Sequence, residues 1–480
     1  MKKRFSAVLF VFFVSGVSIF MASTSVYATN GMNLEGYGPI ATGMGGASKA
    51  YDNGTAAVMN NPATLGLMPE GNRLDVALGY LGPHIKATCN AGPCAGTDAS
   101  SSATSFWMPA IGWAQKSGPF AYGIGVFAQG GMGTEYGADS FLAMGSGDKV
   151  RSELGVGRAI IPFTVDVNKN FTVGVTADFV WATLDLKMAL PGTEFLAMAQ
   201  GTSAFGSASG SLVNSLGGAV QAGQIGVPEW TRFDFSDNSD FTGAAKGTGF
   251  AGKIGGVYKV NDAVSFGATY HSKTELGDLE ATGATLSMKA SGPATGGQAI
   301  VVPITGKIQV KDFQWPQTIG VGVAYQATDK LMIAADYKWI NWADVMKSFK
   351  LTFTADANQS GAAGPGGFNL GGQSVDATLF QNWKNQNVFE IGAGYKFTPE
   401  FTGRIGFNYA NNPIPDQLMN PLFPAIEKSH VTLGAGYMIT KASSVDASFT
   451  YAPEVKQTNG QQVTVAHSQT NAQVMYSFRF

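Results

Sequence analysis

Four histidines, two cysteines and a thin scatter of lysines are the reactive side chains of this chain, and their spacing argues against catalysis. His84, His271, His430 and His467 stand far apart, and no Ser/His/acid grouping falls on neighbouring segments. The glycine runs do not lie between a strand and a helix, so they make no phosphate-binding loop. Cys89 and Cys94, five apart in a polar stretch, have no third or fourth metal ligand close by. A disulfide closing a small loop in an oxidising compartment is the favoured reading. No cofactor, no metal and no enzyme activity are expected.

The elements that must carry any function show a period of two. In the last segment Ala472, Val474, Tyr476, Phe478 and Phe480 alternate with Asn471, Gln473, Met475, Ser477 and Arg479. Phe171, Val173, Val175, Ala177, Phe179 and Trp181 alternate with Thr172, Gly174, Thr176 and Asp178. Phe401, Ile405, Phe407 and Tyr409 alternate with Thr402, Arg404, Gly406 and Asn408. Such strands have lipid on one side and water on the other. The pattern recurs over 73–81, 105–115, 120–129, 157–167, 171–188, 249–260, 264–276, 308–325, 331–342, 387–397, 401–410, 430–439, 444–451 and 470–480. Six short turns (116–119, 168–170, 261–262, 328–330, 398–400 and 440–442) alternate with seven long polar connections. The expected fold is all-β, a 14-stranded antiparallel transmembrane β-barrel with short turns facing the periplasm and long loops outside.

Composition agrees. No mature segment is apolar for long enough to cross a bilayer as a helix, although 45% of residues are hydrophobic. Sixty-three glycines and only 13% charged residues suit a barrel wall better than a soluble surface. Residues 1–28 read as a signal peptide: Lys2, Lys3 and Arg4 precede an apolar run, and Val26-Tyr27-Ala28 offers a small-residue cleavage site. Its removal leaves 28 basic against 33 acidic residues, a charge near −5 with no basic domain for nucleic acid. The bacterial outer membrane is the expected location, with its lipid and lipopolysaccharide as surroundings. The aromatic terminus Phe480 would serve the barrel-assembly machinery.

Three stretches depart from the strand pattern. Residues 29–72, with Gly43-Met44-Gly45-Gly46 and Asn60-Asn61-Pro62-Ala63, read as a compact N-terminal plug, or hatch, of turns and short helices within the 73–480 barrel. A flexible leader is the alternative, but Met, Leu, Ile and Val make the stretch too apolar for a solvated tail. Gly130, Gly131 and Gly133 follow Gln129 and mark either a bend inside a strand or the start of a loop. The connection 189–248 carries Leu212, Val213, Leu216, Val220 and Ile225, which suit either adsorption of greasy molecules or self-packing. By parity Arg404, Arg479, Lys338, Asp336, Asp178 and Glu390 point inward, where they could pair and hold the plug. Many inward positions are glycine, including Gly174, Gly392 and Gly434.

The chain resembles the FadL family of outer-membrane transporters for long-chain fatty acids and aromatic hydrocarbons, over essentially its whole mature length. The likeness rests on Gly43-Met44-Gly45-Gly46-Ala47 leading to Asn61-Pro62-Ala63, and on Asp336-Tyr337 and Trp342. Asn412-Pro413-Ile414-Pro415-Asp416 and Ser443-Ser444-Val445-Asp446 complete it. The resemblance implies a monomer whose outer loops adsorb a hydrophobic small molecule and pass it to a tighter inner pocket. Movement of the N-terminal segment would then open a sideways exit at a kink in the third strand, matching Gly130, Gly131 and Gly133. For a fatty carboxylate it implies basic residues near the outer ends of two strands. Lys187 and Lys350 are the nearest matches, each offset by about a residue, which leaves a neutral hydrocarbon open. A general diffusion porin for small hydrophilic solutes is the competing reading.

Overall fold

The computed structural model describes residues 30–239, 242–359, 363–364 and 368–480, so the expected signal peptide lies outside the described residues. The alternating residues form long strands: β1 (Gly71–Cys89), β2 (Phe106–Ser117), β3 (Phe120–Tyr136), β4 (Val150–Asp166), β5 (Phe171–Pro191), β6 (Ala245–Lys259) and β7 (Val264–His271). They continue as β8 (Thr318–Gln326), β9 (Leu331–Ile340), β10 (Gln386–Lys396), β11 (Phe401–Ala410), β12 (Ser429–Met438), β13 (Ser443–Thr458) and β14 (Val463–Arg479). Each pairs antiparallel with the next. β14 returns to β1 from Arg73↔Arg479 to Cys89↔Val463, closing the wall.

Fourteen strands is nonetheless too few for the sheet as a whole, which holds 22 among the described residues. Most of the surplus comes from the long connections, expected to be loops, and one short strand, Glu275–Leu276, from the break-up of the expected strand over 264–276. Trp230–Phe235 extends the outer end of β5 through the pair Leu186↔Phe235. The sheet then runs through Leu279–Ala290, Ile300–Lys311, Ser348–Ala355 and Ser374–Phe380 to Gly206–Ser209. The expected strand over 308–325 is two strands. Asp312 adopts a left-handed φ of 57° and Pro316 lacks a ladder donor, so the chain breaks between Lys311 and Thr318.

Parity places the apolar side chains as the sequence suggests. Every strand from β1 to β14 presents a large exposed hydrophobic residue outward, among them Ile161 at 60% exposure, Phe250 at 66% and Tyr437 at 54%. In water each such side chain would forgo about 1.5–3 kcal/mol of burial. A belt of them around a closed wall belongs in lipid. No helix among the described residues is long and apolar enough to cross a membrane.

Residues 30–68 are almost all buried inside this wall and bond to strands on all sides. Asp336 on β9 accepts from the Ser48 and Lys49 amides at 2.6 and 3.0 Å, and Asp75 on β1 accepts from the Thr55 amide at 2.8 Å. Thr432 on β12 accepts from the Gly45 amide at 3.0 Å. Inward glycines make this fit possible. A Cβ on Gly392 would stand 2.4 Å from the Met44 carbonyl oxygen, and one on Gly406 only 2.0 Å from the Gly45 nitrogen. Asn61 caps the short helix Pro62–Leu67 by accepting from the Ala63 amide, while its own amide donates to Lys49 and to Gly256 on β6.

Candidate functional site

The two candidate cations are spent on local partners. Lys187, near the outer end of β5, lies 3.7 Å from both Asp148 and Asp234, which also hold Arg232 at 3.1 and 3.3 Å. Lys350 lies on the outer strand Ser348–Ala355, its side chain 47% exposed, and donates to Asp312 at 2.7 Å. The Lys350 ammonium holds that carboxyl below the usual carboxylate range. The two lysines sit on different strands with separate partners, so they do not form one anion pocket.

Between the outer sheet and the inner segment lies an apolar interior that the sequence reading did not assemble. Its centre is three buried indoles: Trp315 before β8, Trp342 after β9 and Trp383 before β10. Trp342 meets Trp315 edge-on at 5.6 Å and Trp383 at 5.2 Å between ring centroids. Trp342 was visible as part of the family likeness, but its partners come from separate connections. Toward the outside, Met188, Leu190, Phe205, Leu379, Met419 and Leu422 line an apolar groove among the loops. Leu212, Val213 and Ile225 are buried and Leu216 and Val220 half-buried, so the apolar residues of 189–248 pack into the fold.

On the other side of the indoles the wall is incomplete. β2 pairs with β1 over Phe106–Lys116 but with β3 only over Ile111–Ser117. Beyond Val126, β3 follows β4 alone, with a bulge between Ala128 and Gly130 that ejects Gln129 from the register. The glycines therefore lie inside a strand. The close approach there requires glycine, because a Cβ on Gly130 would stand 2.1 Å from the Met32 carbonyl oxygen. At the rim, a Cβ on Gly133 would meet the Phe106 ring at 2.8 Å. Leu34, Tyr37, Met108, Ala110, Phe127 and Met475 line the space behind the opening.

The inward charges bond in pairs: Lys49–Asp336 at 3.8 Å, Lys338–Glu390 at 2.8 Å, Arg158–Asp178 at 2.7 Å and Arg404–Asp446 at 2.8 Å. Arg479, expected among them, is exposed at the mouth of the cavity at the short-turn end. Cys89 and Cys94 are joined, with 5.8 Å between their Cα atoms.

Residues 19–479 match the family described as "Outer membrane protein transport protein (OMPP1/FadL/TodX)". The chain belongs to this family. As a FadL/TodX-family protein it is an outer-membrane β-barrel, and its family consists of transport proteins rather than enzymes. The solved structure of the P. putida toluene transporter TodX is 33% identical, with a TM-score of 0.79 over 93% of this chain and 99% of that one. The Ralstonia pickettii toluene transporter TbuX is 32% identical, with a TM-score of 0.72 over 93% and 99%. Outer membrane protein P1 of Haemophilus influenzae is 27% identical over 203 residues, 42% of this chain. This chain spans only 32% and 38% of the length of the curated relatives it matches.

Proposed function

We propose that this protein carries neutral hydrophobic small molecules, monoaromatic hydrocarbons foremost, from the outer surface into the outer membrane. β1–β14 form the wall that crosses the bilayer, and the extra strands form an outer vestibule. Residues 1–28 are the removed signal peptide, residues 29–72 the hatch and residues 73–480 the barrel. The observation that carries the reading is the apolar interior lying against a wall opening where β2 and β3 part. A solute adsorbs in the outer groove, moves among the indoles and leaves sideways past Gly130, Gly131 and Gly133. Each step buries apolar surface, worth about 25 cal/mol per Å2, so the solute avoids the aqueous lumen.

The neutral class follows from charge. A carboxylate moving inward would need an uncommitted cation, and Lys187 and Lys350 are both engaged by aspartates. The toluene transporters among its structural relatives support the aromatic choice. A diffusion porin is disfavoured because the buried inner segment occupies the lumen.

The test is uptake of labelled toluene, oleate and arabinose by cells producing the protein in place of their own transporters. Toluene uptake above the empty-vector level, with arabinose at background, is the expected result. Entry of arabinose without toluene would establish the porin instead. Uptake of oleate in preference to toluene would overturn the neutral class.

A further inference from the structure

The inner segment meets the β3 bulge at Asn33. Its main chain makes an antiparallel bridge with Gly130, and the Gly131 amide donates to the neighbouring Met32 carbonyl at 3.1 Å. Its side-chain oxygen accepts from the Trp315 indole at 2.8 Å and from the Gln129 amide at 3.2 Å. Those two donors fill the oxygen's two acceptor positions. The nearby Tyr37 hydroxyl gives its single hydrogen to the Gln129 carbonyl at 2.6 Å. Asn33, Gln129 and Trp315 are all buried. One carboxamide oxygen therefore ties the aromatic interior to the ejected residue of the β3 bulge.

We propose that Asn33 is a positioning residue that couples occupancy of the aromatic interior to the opening of the wall, with Trp315 as the side chain that senses the solute. This inference rests on the sideways route proposed above. Trp315 touches both ends of the couple: its ring lies 3.2 Å from where a Cβ on Gly130 would stand, and it packs edge-on against Trp342. A solute wedged between the two indoles turns the Trp315 ring and withdraws its donor. Asn33 then holds Gln129 alone, and the bridge over Gly130 and Gly131 weakens.

The closed arrangement is poised rather than deeply stable. Among the described residues, the Asn33 side-chain nitrogen and the Gln129 side-chain oxygen are buried without a hydrogen-bond partner, a cost that opening to solvent removes.

The experiment follows hydrogen exchange of the 127–136 segment in the full-length protein reconstituted in detergent, with toluene as the probe. In the unmodified protein, saturating toluene should speed exchange there by about tenfold, the order expected when a local opening loses one net hydrogen bond. Trp315→Phe keeps the ring and removes the donor. It should show the fast exchange without toluene and respond little when toluene is added. Asn33→Ala should match it, and the double variant should be no faster than either single one. Trp230→Phe is the packing control, because its indole is buried on the outer strand Trp230–Phe235, which pairs with β5 and Leu279–Ala290 rather than with the couple. Heat-modifiable migration on gels establishes that each variant is folded. Normal slow exchange in folded Trp315→Phe would overturn the proposal, as would multiplying effects of the two single variants. Equal loosening by Trp230→Phe would do the same. Toluene-free exchange tests the couple alone, so failed toluene uptake by the unmodified protein would sink the transport reading separately.

Discussion

At the scale of single residues, charge is legible in the sequence but its partners are not. Lys187 and Lys350 announce themselves as cations near strand ends. Asp148, Asp234 and Asp312, which neutralise them, arrive from other connections and could not be paired by spacing. Lys350→Ala should change stability by no more than about 0.5 kcal/mol, as exposed pairs do, and leave toluene uptake unaltered. Loss of toluene uptake in that variant would return Lys350 to the binding site. The lysine depresses the Asp312 pKa, so the pair's small contribution is present above the unfolded carboxylate pKa of about 3.9 and fades as pH falls through the folded value. Asn61 is the opposite case, because Asn-Pro-Ala could be picked out from sequence alone. The structure supplies the reason: the side chain caps a helix and ties it to Lys49 and Gly256. Asn61→Ala should cost about 1–2 kcal/mol of local stability. Faster hydrogen exchange over 57–68, with the wall unaffected, is the signature to look for.

At the scale of elements, the strand period and the six short turns were readable because parity survives any tertiary context. Pairing was not, since a ladder depends on two segments and only one is seen at a time. The three glycines of β3 suggested a bend, yet nothing in them reveals that β2 stops following β3 beyond Val126. The outer strands were missed for the same reason: Ile300–Lys311 pairs with Leu279–Ala290 and Ser348–Ala355, far from any closed circuit. The bulge makes a sharp prediction. Deleting Gln129 restores one-to-one register between β3 and β4 and lets β3 lie flat against β2. Toluene uptake should fall toward the vector-only level while the folded barrel persists on gels. Uptake at the unmodified rate in that folded variant would mean that the solute leaves by another route.

At the scale of the whole molecule, the apolar belt and the filled lumen have one cause, read from opposite faces of the same strands. Outward positions carry large hydrophobics that only lipid can satisfy. Inward positions carry glycine where the inner segment presses on the wall, and carboxylates or threonines where its amides need acceptors. If the segment is a seal rather than part of the wall, displacing it should open the lumen without unfolding the barrel. Gly392→Val tests this directly, because the new side chain must enter space held by the Met44 backbone, at 2.4–2.6 Å from the Cβ position. The wall strands β9, β10 and β11 keep their ladders whatever the segment does, since those bonds run between main chains. Single-channel conductance in a planar bilayer should therefore rise well above that of the unmodified protein. Heat-modifiability should be retained. A folded variant that still conducts nothing would mean that the outer sheet closes the pore, and the inner segment would then be a scaffold for the aromatic interior instead of a hatch.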